Sequence, residues 1–233
     1  MSASKSQIDS FIRTMAPIAV RQAERHGNRL FPSICIAQAC HESGFGTSKK
    51  MIDANAVFGI KVGKSAYRFG SAWKGEAYKT GTTEYYDGKT ATKIQDWFRA
   101  YDSLGDATED YMDLLCNAKR YKGALYCKTP EESIKGIVAG GYATGPKYTE
   151  NIMKHVRTYH LDRFDPGHKV EYFPKYEGTS DSIIDALTEV GAQSTKEYRK
   201  MVYNANFFDT YRYSAKQNTQ MLYMLKQGKL IRP

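Results

Sequence analysis

The stretch that most constrains this chain lies between Pro32 and Gly46. Pro32-Ser33-Ile34-Cys35-Ile36-Ala37-Gln38-Ala39-Cys40 is almost wholly apolar, turns to His41-Glu42, and breaks on Ser43-Gly44-Phe45-Gly46. Proline is favoured at the first helical position, where its missing N–H would have no partner, and glycines end helices. The pattern predicts a helix that starts at Pro32 and stops near Gly44. Glu42 then stands at the end of an apolar helix, beside a glycine-rich break. A carboxylate gains nothing from the helix dipole at a C-terminus, so it is not there as a cap. Half shielded by a core, a carboxyl favours the neutral form that a general acid needs. The plain alternative is a surface glutamate at a helix end.

Upstream, Ile8, Phe11, Ile12, Met15, Ile18 and Ala19 recur at helical spacing, with Ser6 and Asp9 as a start signal and Gly27 as a stop. Pro17 falls inside this pattern and predicts a kink or two short helices. From Asn55 to Tyr101 the character changes to Gly, Thr, Tyr and Val. Asp87-Gly88 is a favoured hairpin turn pair, so 82–86 and 89–97 are predicted as an antiparallel ribbon. Helices resume at Ser103 with Asp106, at the capping box Thr129-Pro130-Glu131-Glu132, closed by Gly140-Gly141, and over roughly 147–159. Residues 165–181, with Pro166, Gly167, Pro174 and Gly178 and no apolar period, read as a linker. Beyond it, 182–233 carries three short helical patterns: one through Ile183, Ile184, Leu187 and Val190 that ends at Gly191, one opened by Ser194 with Glu197, and one by Ser214 with Gln217. The fold class is α+β, with a main domain over 1–164 and a small helical domain at the end.

The formal net charge of +9 is compatible with acidic polymers, but no run of five or more Lys/Arg points to nucleic acid. No stretch reaches the roughly 20 apolar residues that span a bilayer, so membrane insertion is not expected. The first residues lack an apolar core of the kind secretory signals carry, which predicts residence in a host cytoplasm until release to the outside, with a virion-associated or non-classically exported protein as the alternative. Cys35, Cys40, Cys116 and Cys127 have no metal-site spacing and are expected as free thiols, although Cys116 and Cys127 could pair.

The run from Pro32 to Gly46 closely resembles the signature of glycoside hydrolase family 73, the peptidoglycan N-acetylglucosaminidases. The resemblance continues through Asn55-Ala56-Val57-Phe58-Gly59-Ile60-Lys61 and Thr82-Thr83-Glu84-Tyr85. It runs on through Phe98-Arg99-Ala100-Tyr101-Asp102-Ser103 and Gly141-Tyr142-Ala143-Thr144-Gly145-Pro146-Lys147-Tyr148. Each match alone is weak; the ordered set is specific. It implies a lysozyme-like fold with a helical lobe, a small β lobe and a groove for the glycan. It also implies cleavage of the β-1,4 bond after N-acetylglucosamine, without metal or organic cofactor; the alternatives are a muramidase or lytic transglycosylase, which would share the fold, and a catalytically inactive wall-binding protein.

By that resemblance Glu42 is the general acid. Glu84 would act as base or stabilise an oxocarbenium-like transition state; a cross-strand pair with Lys89 or Lys93 is its structural alternative. Glu76 and Asp87 are reserves. Tyr142 would orient the substrate's acetamido group if that group assists the cleavage. Asn55, Phe58 and Tyr148 resemble substrate-binding positions, Phe58 and Tyr148 being equally suited to a core. His41 reads as a packed or solvated histidine. The family usually has Asp where Gly145 stands and Asn where Ala56 stands, which puts subsite preference in doubt but not the acid. More loosely, Ser182-Ile183-Ile184-Asp185-Ala186-Leu187, Gln217-Asn218-Thr219 and Gly228-Lys229-Leu230-Ile231 resemble small repeats of Gram-positive phage endolysins. That likeness implies a module held to a Gram-positive wall polymer, and a phage lysin as the whole.

Overall fold

A computed structural model of the 233-residue chain describes residues 3–63, 69–84, 92–167, 171–207 and 211–233, the side chains of 82–84 and 92–93 lying outside that description. The chain divides into two compact units, Met1–His168 and Lys169–Pro233.

The first unit opens with α1 (Lys5–Arg25), capped by Ser4 and Gln7 in a reciprocal box upstream of the predicted Ser6–Asp9 start. The helix runs unbroken through Pro17, so the two-helix expectation fails. An internal proline costs about 3 kcal/mol. Burying Phe11, Ile12 and Met15 returns about 1.5–3 kcal/mol for each side chain, enough to carry the helix past Pro17. Next comes α2 (Pro32–Ser43), in which every residue from Pro32 to Cys40 is buried. It packs against α1, α5 (Pro130–Ala139) and α6 (Tyr148–Thr158), and so forms the centre of the unit. Gly44 ends α2 in the left-handed region, with φ 58°.

At the other end of α2, Phe31 offers no side-chain cap. The Asp165 carboxylate does the work instead, accepting from the Ser33 N–H at 2.8 Å and the Ser33 hydroxyl at 2.6 Å. A negative charge on free N–H groups at a helix start is favourable twice over, by hydrogen bonding and by the dipole.

A short α3 (Lys49–Ala54), which no sequence signal announced, leads to the ribbon. Strands β1 (Ala77–Glu84) and β2 (Thr92–Arg99) pair antiparallel, in register from Ala77 with Arg99 to Glu84 with Thr92. The antiparallel ribbon is as expected, but both strands extend further from the turn than predicted. The turn itself, with Asp87-Gly88, lies outside the described residues. The base of the ribbon is fixed by burial. Phe98 packs with Ala54 and Ala56. The buried Arg99 bonds both oxygens of Asp110 at 2.9 Å, and the Tyr101 hydroxyl donates to the same carboxylate at 2.8 Å. The Arg99 guanidinium also lies 4.2 Å over the Trp73 ring.

Asp110 belongs to α4 (Leu104–Asn117), which starts at Ser103 as predicted. Thr129 caps α5 through the Glu132 N–H, whereas the Glu132 carboxylate accepts from Lys128 N, so the predicted box closes one residue early. All four cysteines are free.

The second unit holds α7 (Ile183–Glu189), α8 (Lys196–Asn206) and α9 (Ala215–Lys226) around a core that includes Ile183, Leu187, Val202, Tyr203 and Leu225. Thr195, not Ser194, caps α8. The stretch 165–181 is not a free linker. Asp165 is tied to Ser33 in the first unit, while Phe173 and Tyr176 are buried in the core of the second. Single anchoring side chains leave no period in a sequence, which is why this stretch reads as unstructured. Among the described residues no helix is long and apolar enough to cross a membrane.

Candidate active site

Glu42 stands on the last turn of α2, half-buried. Its Oε1 accepts a hydrogen bond from the Tyr148 hydroxyl at 2.7 Å. Burial, followed by the Glu42 charge, pushes the Tyr148 hydroxyl well above its usual range, so it keeps its proton and acts as donor. Behind it the Gln38 amide donates to the Tyr148 oxygen at 3.0 Å, and the Tyr111 hydroxyl in turn donates to Gln38 Oε1. Every hydrogen in this buried chain points towards Glu42. Residues four apart share one helix face, which is how α2 presents Gln38 and Glu42 to the same tyrosine. The arrangement fixes Oε1 as an acceptor and leaves Oε2 as the oxygen that can carry a proton outward.

Aromatic rings pack around this chain. Phe58 is buried and stacks on Tyr111 with centroids 4.0 Å apart. The Tyr142 hydroxyl donates to the Phe58 carbonyl at 2.9 Å, and its ring centroid lies 6.4 Å from that of Tyr148. Burial pushes the Tyr142 hydroxyl well above its usual range too. Tyr142, Tyr148 and Phe58 are therefore gathered at Glu42, with Phe58 in the core. His41 packs edge-on against Tyr148 at 5.3 Å and lies 5.6 Å from His155. Burial, with His41 and Lys154 nearby, pushes His155 down to about 4.

Asn55 has a different place. It ends α3 in the left-handed region at φ 49°, and its amide donates to the Tyr101 carbonyl at 2.9 Å, tying α3 to the segment that follows β2. Glu84 pairs with Thr92 at the far end of β1, and its side chain lies outside the described residues, as does Asp87. Glu76 is exposed, and its carbonyl accepts from Trp73 and Ala100. Among the described residues no group of three or more His, Cys, Asp or Glu could hold a metal ion.

Sequence reasoning missed Gln38 and Tyr111, and gave no sign that Lys50 would border the same space as Glu42 Oε2 at Gly59. Gln38 had a usable signal, a buried-helix polar residue one turn before the acid. Tyr111 and Lys50 had none, because their approach to the site depends on how α4 and α3 pack.

A half-exposed glutamate on the central helix of a mostly helical unit, joined to a two-stranded ribbon, is the architecture of the lysozyme-like class. Residues 16–161 match the glucosaminidase family, described as mannosyl-glycoprotein endo-beta-N-acetylglucosaminidase, and the chain belongs to that family. It is 34% identical over 152 residues to the peptidoglycan hydrolase FlgJ of Vibrio parahaemolyticus, a match covering 63% of this chain and 46% of that protein. Against the exo-glucosaminidase LytG of Bacillus subtilis the identity is 33% over 141 residues, covering 58% and 46%. The chain thus spans less than half the length of these relatives. The catalytic domain of the autolysin Auto from Listeria monocytogenes has a similar fold, with TM-score 0.56 and 26% identity over 71% of this chain and 91% of that one.

Proposed function

We propose that the chain is a peptidoglycan hydrolase that cleaves the glycan after N-acetylglucosamine, with Glu42 as general acid. The observation that carries this reading is the Tyr148 hydroxyl on Glu42 Oε1, backed by Gln38 and Tyr111, on a carboxyl that is itself still half-exposed. In the reaction the Oε2 proton passes to the glycosidic oxygen as the bond from the anomeric carbon to that oxygen breaks. The remaining carboxylate keeps its Tyr148 hydrogen bond, so little reorganisation is needed at the moment of transfer. The oxocarbenium-like centre is then met by water, with Glu84 as base, or first by the substrate's own acetamido oxygen, with Tyr142 beside it.

Family membership and the peptidoglycan hydrolases among the relatives support the substrate class. The second unit is proposed to hold a Gram-positive wall polymer. Exposed Tyr172, Tyr213 and Tyr223 give it aromatic faces suited to sugars. Tethering raises the local substrate concentration without touching the chemistry.

The test is Glu42→Gln on purified Gram-positive peptidoglycan. The variant is expected to keep the wild-type circular dichroism and to sediment with walls, yet to release reducing ends about a thousand-fold more slowly or not at all. Substantial release by a folded variant would remove Glu42 from its role.

A further inference from the structure

Lys50 is a cation near Glu42 that the resemblance does not account for. It sits half-buried on α3, with its ammonium 5.2 Å from the centroid of the Phe98 ring at the base of the ribbon. Gly59 shows where the ammonium points. A Cβ on Gly59 would lie 2.5 Å from Lys50 Nζ and 3.9 Å from Glu42 Oε2, so both atoms border the same small space. Gly59 also holds φ at 62°, a conformation that side chains rarely adopt. The bare glycine thus leaves room for an ammonium beside the very oxygen that Tyr148 does not bind.

We infer that Lys50 is a positioning residue for Glu42: its positive charge stabilises the carboxylate that forms on Oε2 once the proton has left. This rests on the reading of Glu42 as the acid. The electrostatics agree with the geometry. Burial holds the Lys50 ammonium below its usual range, and the attraction of the Glu42 charge partly offsets it. Among the described residues, the titratable groups that bear on Glu42 include Lys50 on α3, Tyr148 on α6 and Tyr142 just before α6. Both tyrosines are held protonated by burial, which makes Lys50 the charged member of the set.

The sign follows from the role. A general acid works while protonated, so its titration forms the alkaline limb of the pH profile. A nearby cation favours the ionised form and draws that limb down. Removing the cation moves the limb up.

The experiment is the pH profile of kcat/KM on solubilised peptidoglycan for the wild type, Lys50→Met, Lys50→Gln and Lys50→Arg, each checked for folding by thermal melting. Two uncharged variants are used so that poor packing of one does not decide the outcome. The alkaline limb is expected to rise by about one pH unit in both uncharged variants and to stay in place in Lys50→Arg. A limb that does not move, or a uniform drop at every pH, overturns the inference while leaving Glu42 in its role, provided Glu42→Gln is inactive in the same assay. Activity retained by folded Glu42→Gln would overturn both.

Discussion

The end of α2 and the ribbon that carries Glu84 are anchored in opposite ways. Glu42 is gripped at its side chain, by Tyr148 with Gln38 and Tyr111 buried behind it. Glu84 lies at the end of β1 furthest from the base, where Phe98 is buried and Arg99 is locked to Asp110. The Glu42 carboxyl is oriented atom by atom, whereas the ribbon is secured at its base, a two-stranded element alone being only marginally stable. The difference suits the chemistry proposed. An acid must aim one oxygen at a leaving group, whereas a base acting through water tolerates a looser position.

Three substitutions would break or sharpen that contrast. The largest effect is expected from Asp110→Ala, which removes the carboxylate from the buried Arg99–Asp110 ion pair. Such a loss costs about 3–5 kcal/mol, and because the pair fixes the base of the ribbon, urea unfolding should show the first unit strongly destabilised. A cost below about 1 kcal/mol would mean that the ribbon is held by something other than this base.

Tyr148→Phe should be smaller and should fall on turnover. It removes the donor to Oε1 but keeps the ring, so kcat is expected to drop about 10- to 100-fold with KM little changed. A change confined to KM would make Tyr148 a groove-lining residue only.

The smallest effect concerns pH. His155 is held down to about 4 against an ordinary 6.5, so the folded state prefers it neutral. Its contribution to stability is complete above about 6.5 and is lost as the pH falls towards about 4, because the unfolded chain binds the proton first. Melting temperatures of the wild type should therefore fall more steeply over that range than those of His155→Leu, by a few degrees. Parallel curves would remove His155 from the account.

How much of this was legible in the sequence varies from residue to residue. Pro32, the apolar run and Gly44 all agree on α2, so local propensity and tertiary burial point the same way. The antiparallel ribbon was readable from its composition and turn, but its full length was not, since the base is stabilised by Asp110 and Ala54 from other elements. The cap of α2 was beyond reach because Asp165 comes to Ser33 from 132 positions along the chain. Lys50 was hidden for the same kind of reason. It lies on a different helix from Glu42, beyond the break at Gly44, and no spacing on one helix encodes its approach.

The measurement that tests the central claim most directly is digestion of purified Gram-positive peptidoglycan by the full chain, followed by borohydride reduction and mass spectrometry of the fragments. The account predicts reduced N-acetylglucosamine at the new ends. Reduced muramic acid, or anhydro-muramoyl ends, would contradict it by placing the cut at the other glycosidic bond.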